Sequence, residues 1–179
     1  MGASSWNYVV PYQPDINAAL QALRQQEFEA GEYSLVESDY DDMSFAQWVE
    51  NPDMTIDDDY AVELAEMRVE YDRRQAFTVP ATIEDLLWYN GAGGTGSILD
   101  MERVATEPTV CAVAPLTSAH LVALFGTDTP TRVQIEERGF HAINHYLDEI
   151  GRGTGEGTYI IVYQDNSAHE IYFTGWSGD

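Results

Sequence analysis

The chain has 179 residues, 44% of them hydrophobic and 12% aromatic, which suits one domain with a sizeable core and argues against wholesale disorder. It carries 31 Asp and Glu against 8 basic residues, a formal net charge of -23, and every basic residue is Arg. The missing Lys excludes a Walker-type phosphate lysine and Schiff-base chemistry. The charge opposes direct binding to nucleic acid or to an anionic membrane.

Residues 6–12 read as a short strand. Pro14 and Asp15 then open a helix that runs to about residue 30 and stops at Gly31. Ile16, Ala19, Leu20 and Leu23 form its buried stripe, with Arg24, Gln25, Gln26 and Glu29 on or near the wet side. An acidic cluster follows over 37–42, then a short helical or irregular piece over 44–50 and a turn at Asn51-Pro52. Asp57, Asp58 and Asp59 sit at the start of the clearest helix, 58–76, where carboxylates cap free N–H groups and face the positive end of the dipole. Arg73 and Arg74 occupy its last turns. Tyr60, Leu64, Met67 and Tyr71 make one apolar stripe, and Val62, Ala65, Val69 and Ala76 a smaller second one. Glu63, Glu66 and Glu70 line the flank between them. Such a helix is either sandwiched inside the protein or offers one stripe to a partner, and the sandwiched arrangement is the first expectation.

A short helix is predicted over 82–88, opened by Thr82 and Asp85 and ended by Asn90-Gly91. Strands are predicted over 97–104 and 110–114, and a helix over 117–125 closed by Gly126. One long helix is predicted over 131–150, with a core stripe of Val133, Phe140, Ile143, Leu147 and Ile150. Strands over 158–163 and 170–173 make a C-terminal β-hairpin with a loop of four or five residues around 165–168. The fold class is α+β, or mixed α/β: a mostly antiparallel or mixed sheet with covering helices. The whole of 1–179 reads as a single domain with an acidic helical insertion around 37–76.

Several patterns could carry chemistry. The run 91–97 is glycine-rich, and glycines let backbone N–H groups approach phosphates. It follows a helix rather than a strand and lacks the lysine, so a turn feeding a strand is the simpler reading. In 151–157 glycine alternates around Arg152, which could meet an anion; the simpler reading is a helix stop and a loop. Glu137, His141 and His145 share a helix face at metal-chelating spacing, but the wheel turns the histidines away from the core stripe and towards solvent. Asp39, Asp41 and Glu50 fit three positions of an EF-hand count, and Met43 and Ser44 break it. Cys111, the one cysteine, lies in an apolar run and reads as a small buried hydrophobe without a nucleophile signature. No cofactor is expected.

The acidic residues could act together: Glu37, Asp39, Asp41, Asp42, Asp57, Asp58, Asp59, Glu63, Glu66 and Glu70. Interleaved with Tyr40, Phe45, Trp48 and Tyr60, they would suit an interface with a basic protein. The plainer reading is a solvated face with core aromatics.

The N-terminal stretch has no basic region followed by an apolar one, and Trp6 breaks the myristoylation pattern, so a cytoplasmic chain is expected. Residues 6–15, the run Gly96-Ser97-Ile98-Leu99-Asp100 and the ending Gly175-Trp176-Ser177-Gly178-Asp179 resemble a family of small acidic actinobacterial proteins. That resemblance implies a bacterial cytoplasmic setting and brings no activity, so no catalytic residue is carried over. Pro80 with Leu86-Leu87-Trp88-Tyr89-Asn90-Gly91 also resembles the SUKH-type immunity proteins, which implies a toxin-neutralising role. The chain thus reads as an acidic partner-binding protein, of immunity, antitoxin or inhibitor type, whose carboxylates replace phosphates before a basic protein such as a nucleic-acid enzyme. The alternative is a small enzyme or ligand-binding protein using the Glu137, His141 and His145 face or the glycine-rich loop with Arg103.

Overall fold

The computed structural model describes residues 4–36, 43–49 and 60–177, with backbone only at 60–63 and 92. A five-stranded mixed sheet has the order β1-β5-β4-β3-β2, formed by β1 (Ser5–Pro11), β2 (Arg103–Val104), β3 (Ala112–Pro115), β4 (Glu156–Gln164) and β5 (Ser167–Trp176). The β1–β5 and β5–β4 pairs are antiparallel, while β4–β3 and β3–β2 are parallel. Helices cover both faces, so the strands alternate between two cores rather than between core and water. Trp6, Ile171 and Phe173 enter the core under α1 (Ile16–Ala30) with Ala19, Leu20 and Leu23. Ile160, Val162 and Tyr172 face the other way, onto α5 (Ser118–Phe125), α6 (Arg132–Arg138) and α7 (Phe140–Glu149).

Helix α1 follows its expected limits. Asp15 accepts the Ala18 N–H at 2.9 Å, and Gly31 closes the helix in a left-handed cap. The wet-side placement of Arg24 is corrected. Arg24 is buried, and its Nε and Nη2 both donate to the Leu99 carbonyl at 3.3 and 3.0 Å. Its aliphatic stem is long enough to leave the helix flank and reach under a neighbouring turn.

That neighbour is a second correction. The predicted strand over 97–104 gives way to a 3-10 turn, Ile98–Asp100, and keeps only the two residues of β2 as strand. The Ser97 hydroxyl accepts the Leu99 N–H at 3.3 Å, a local cap that competes with sheet pairing. The turn buries Ile98 and Leu99 completely.

The single long helix over 131–150 is also corrected: it is two helices, α6 and α7, broken at Gly139. Gly139 has φ 76° and ψ 148°, a backbone state that a residue with a side chain avoids. The break turns Val133 out to 59% exposure and puts Ile135 in the core instead. Ile143 and Leu147 are buried as expected.

The hairpin is tighter than expected. Its loop is only Asp165-Asn166, both with positive φ, the signature of a type I′ turn. A register shift after Val162 bulges β5, and the His169 carbonyl there accepts the Tyr12 N–H at 2.9 Å. At the other end Gly157 faces Gly175, and a Cβ on Gly175 would lie 2.7 Å from both the Trp6 ring and the Glu156 carbonyl. Facing glycines are the space that the Trp6 indole fills.

The remaining helices are α2 (Phe45–Val49), α3 (Tyr60–Gln75) and α4 (Ile83–Asn90). Thr82 caps α4 by accepting the Asp85 N–H at 3.1 Å. Among the described residues no helix is long and apolar enough to cross a membrane.

Candidate functional site

Of the ten acidic candidates, Glu37, Asp39, Asp41, Asp42, Asp57, Asp58 and Asp59 lie outside the described residues, and Glu63 is placed on α3 by its backbone alone. Glu66 is exposed on α3. Glu70 turns inward: its Oε2 accepts the Trp88 indole N–H at 3.3 Å, and its Oε1 lies 3.9 Å from Arg74. The EF-hand count of Asp39, Asp41 and Glu50 also falls outside the described residues.

Helix α3 is not sandwiched. Leu64, Met67 and Tyr71 are half-buried, while Ala65, Val69 and Ala76 face solvent and Val69 is 70% exposed. Among the described residues, the aromatic partners of Tyr71 on this helix are Phe45 and Trp48 of α2. Tyr71 meets Phe45 and Trp48 at ring centroid distances of 5.4 and 5.7 Å. Its hydroxyl donates to the Met43 carbonyl at 2.9 Å. Phe45 and Trp48 are therefore the cement between α2 and α3, not free anchors. Arg68 lies 4.9 Å over Phe45, and Arg73 sits 3.6 Å over Trp88, so cations cover these rings.

The surface cations are neutralised almost where they stand. Arg68, Arg73, Arg74, Arg103 and Arg132 each come within 4.0 Å of a carboxylate, and Arg24 and Arg152 are buried. Exposed carboxylates, by contrast, recur on several elements: Glu29 on α1, Glu84 on α4, Glu136 and Glu137 on α6, Asp148 and Glu149 on α7. Among the described residues the negative charge is spread over the molecule, not gathered on one side.

The Glu137, His141 and His145 face is divided by Gly139, and all three side chains are exposed. His145 Nε2 lies 3.7 Å from Glu149 across one helical turn. Among the described residues no group of three or more His, Cys, Asp and Glu is placed to hold a metal ion.

The glycine-rich loop is a built turn. Asn90 closes it by donating to the Ser34 and Gly94 carbonyls, both at 2.7 Å, and by accepting the Val36 N–H at 3.1 Å. The Thr95 N–H points at the buried Asp100 carboxylate, 2.9 Å away. The protein's own anion thus takes the N–H that a phosphate would need. Arg103, proposed to assist this loop, is exposed and lies 4.0 Å from Glu102.

Cys111 is half-buried rather than buried, and it carries a positive φ of 57°. The strain is held from both sides: its N–H donates to Gly155 and its carbonyl accepts from Glu102, each at 2.8 Å. Burial first, then the charges of Glu102 and Asp100, pushes the thiol pKa up, which disfavours a nucleophilic thiolate.

Arg152 is where a residue of the predicted loop becomes structural. It is 6% exposed, and its Nη2 donates to the Pro115 carbonyl at 3.0 Å. Desolvation lowers its pKa, with Glu156 and Glu107 opposing the shift. Arg152 lines two cavities, of about 430 and about 160 Å³, and His120 lines the smaller one.

The fold and surface define an acidic α+β protein whose mixed sheet is covered on both faces. Comparison with protein-family models, with curated proteins and with solved structures gives no match to this chain.

Proposed function

We propose that this protein binds and neutralises a basic protein, in the manner of an immunity, antitoxin or inhibitor protein, in a bacterial cytoplasm. The observation that carries the reading is the fate of the arginines. With most of them paired to carboxylates or buried, little on the described surface offsets a net charge of -23. Such a field accelerates encounter with a polycation and repels nucleic acid. The outward strip of α3, with Val69 and Glu66 side by side on consecutive turns, supplies an apolar contact inside that field. The one-sided acidic face is not needed for this reading; the steering belongs to the whole molecule, and the docking to α3.

The test has two stages. A basic protein retained from bacterial extract on the immobilised chain at low salt is identified and purified. Its association rate is then measured against ionic strength, for the native chain and for a variant with Asp57→Lys, Asp58→Lys, Asp59→Lys and Glu66→Lys. The expected result is slower association, about tenfold at low salt, with a flatter salt dependence. An unchanged rate in the charge-reversed chain overturns the proposal.

A further inference from the structure

The two edges of the sheet are built differently. On one side β2 has only two residues, too short to receive another strand. On the other side β1 has seven, Ser5–Pro11, paired to β5 in one unbroken register. The ladder fixes which groups of β1 face outward. The Ser177 N–H donates to the Ser4 carbonyl and the Tyr12 N–H to the His169 carbonyl, both at 2.9 Å, so the even-numbered residues bond β5. The N–H groups of Ser5, Asn7 and Val9, and the carbonyls of those residues and Pro11, therefore point away from the sheet. Among the described residues nothing bonds to them. Ser5, Asn7 and Pro11 are exposed and Val9 is half-buried.

Edges of this length are ordinarily guarded by a lysine, an interior proline, an inward charge or a bulge. β1 has none of these: it contains no charged residue, its proline comes last, and its pairing is regular. The edge also has a seat for a side chain. A cavity of about 380 Å³ lies where β1 ends against α1, walled by Val10, Tyr12, Ala22, Leu23 and Gln26. A strand laid along β1 directs every second side chain towards the α1 face, on which this cavity opens.

Charge selects the occupant. A second copy laid edge to edge brings together two chains of net charge -23, and their repulsion opposes the pairing. An acidic segment of another protein meets the same field. A cationic segment is drawn in, and Asp15, exposed just past the strand, offers it a carboxylate.

We propose that β1 docks an extended segment of a partner protein, alternating Lys or Arg with apolar residues, as a sixth strand of the sheet. Backbone bonds to Ser5, Asn7 and Val9 hold it, and an apolar side chain fills the cavity beside α1. The proposal shares with the docking on α3 only the sign of the partner's charge. The two surfaces are separate elements, so either can fail without the other.

The probe is a capped heptapeptide of alternating lysine and valine, added to the full chain and followed by amide hydrogen exchange in NMR. With the peptide about tenfold above its Kd, the Ser5, Asn7 and Val9 amides should exchange about tenfold more slowly. The same peptide with glutamate for lysine should leave their rates unchanged. A version with glycine for valine keeps the charge but forms strands poorly, and should protect them far less. Val9→Pro deletes the central outward donor, which bonds nothing in the fold, and should weaken binding about tenfold or more. Asn7→Lys keeps the native backbone, places a guarding charge on an exposed position, and should also weaken binding. The proposal is overturned if the lysine–valine peptide leaves the three amides unprotected, if either control peptide protects them equally, or if Asn7→Lys binds as tightly as the native chain. Protection already present in the free chain, from a second copy or from another part of the chain, overturns it equally.

Discussion

Glu27 shows how a single buried carboxyl sets part of the pH response. It is buried on α1, and burial first, then the charge of Glu32, raises its pKa, while a hydrogen bond from Tyr8 acts against the rise. The folded chain therefore holds this proton to higher pH than the unfolded chain does. Stability contributed by the neutral form is present at low pH and is lost as pH rises from the ordinary carboxylate range through the folded-state value. Glu27→Gln should accordingly raise the thermal midpoint at pH 7, and the advantage should vanish below about pH 4. Melting curves of the two chains across that range check it. Tyr8 gives a second readout, because its pKa is pushed up to about 12 by burial first and by the Glu27 charge next. In the Gln variant its titration midpoint should fall but stay above the ordinary value, since the burial remains. At this scale the sequence was least informative. The apolar stripe of α1 could be read from spacing, but Arg24 and Arg152 looked like surface charges. Their burial depends on the Leu99 and Pro115 carbonyls, supplied from 75 and 37 residues away. No local pattern encodes such partners.

Caps and turns were far more legible than helix continuity. Asp15, Thr82 and Thr117 all accept the N–H three residues on, and the first two were legible as helix openers. The 131–150 segment failed because its apolar residues keep helical spacing straight across Gly139, and an isolated glycine is a weak stop signal. The structure gives that glycine a geometry no helix interior contains. Gly139→Ala should cost about 1–3 kcal/mol, through strain at a backbone state reserved for glycine. Urea unfolding measures it. A stabilising effect would mean that α6 and α7 fuse into the continuous helix that the periodicity suggests. The hairpin was recognised for its strands, but its loop was drawn too long. Ser167 and Ala168 look like turn residues, yet Asp165-Asn166 alone makes the reversal because both tolerate positive φ.

Self-repulsion is the energetic signature of the whole molecule. The paired arginines are mostly exposed, so each ion pair adds only about 0–1 kcal/mol and cannot offset a charge of -23. Raising sodium chloride from 0.1 to 1 M shortens the screening length from about 10 to about 3 Å. The thermal midpoint should then rise by at least about 3 °C. A flat or falling midpoint, followed by differential scanning calorimetry, would show that the carboxylates lie too far apart to repel. The mixed sheet with covering helices was legible because it follows from the order of elements. The placing of the carboxylates was not, since composition counts charges without locating them.

Ser5 stands opposite Trp176, and Trp6 opposite Gly175. A nascent chain emerging from the ribosome exposes the Trp6 indole and the apolar side of α1 before the strand that receives them has been made. The first strand synthesised waits for the last, and the two facing glycines accept the indole only then. Completion of this sheet waits for β5, and the many carboxylates keep the waiting chain apart from its neighbours meanwhile.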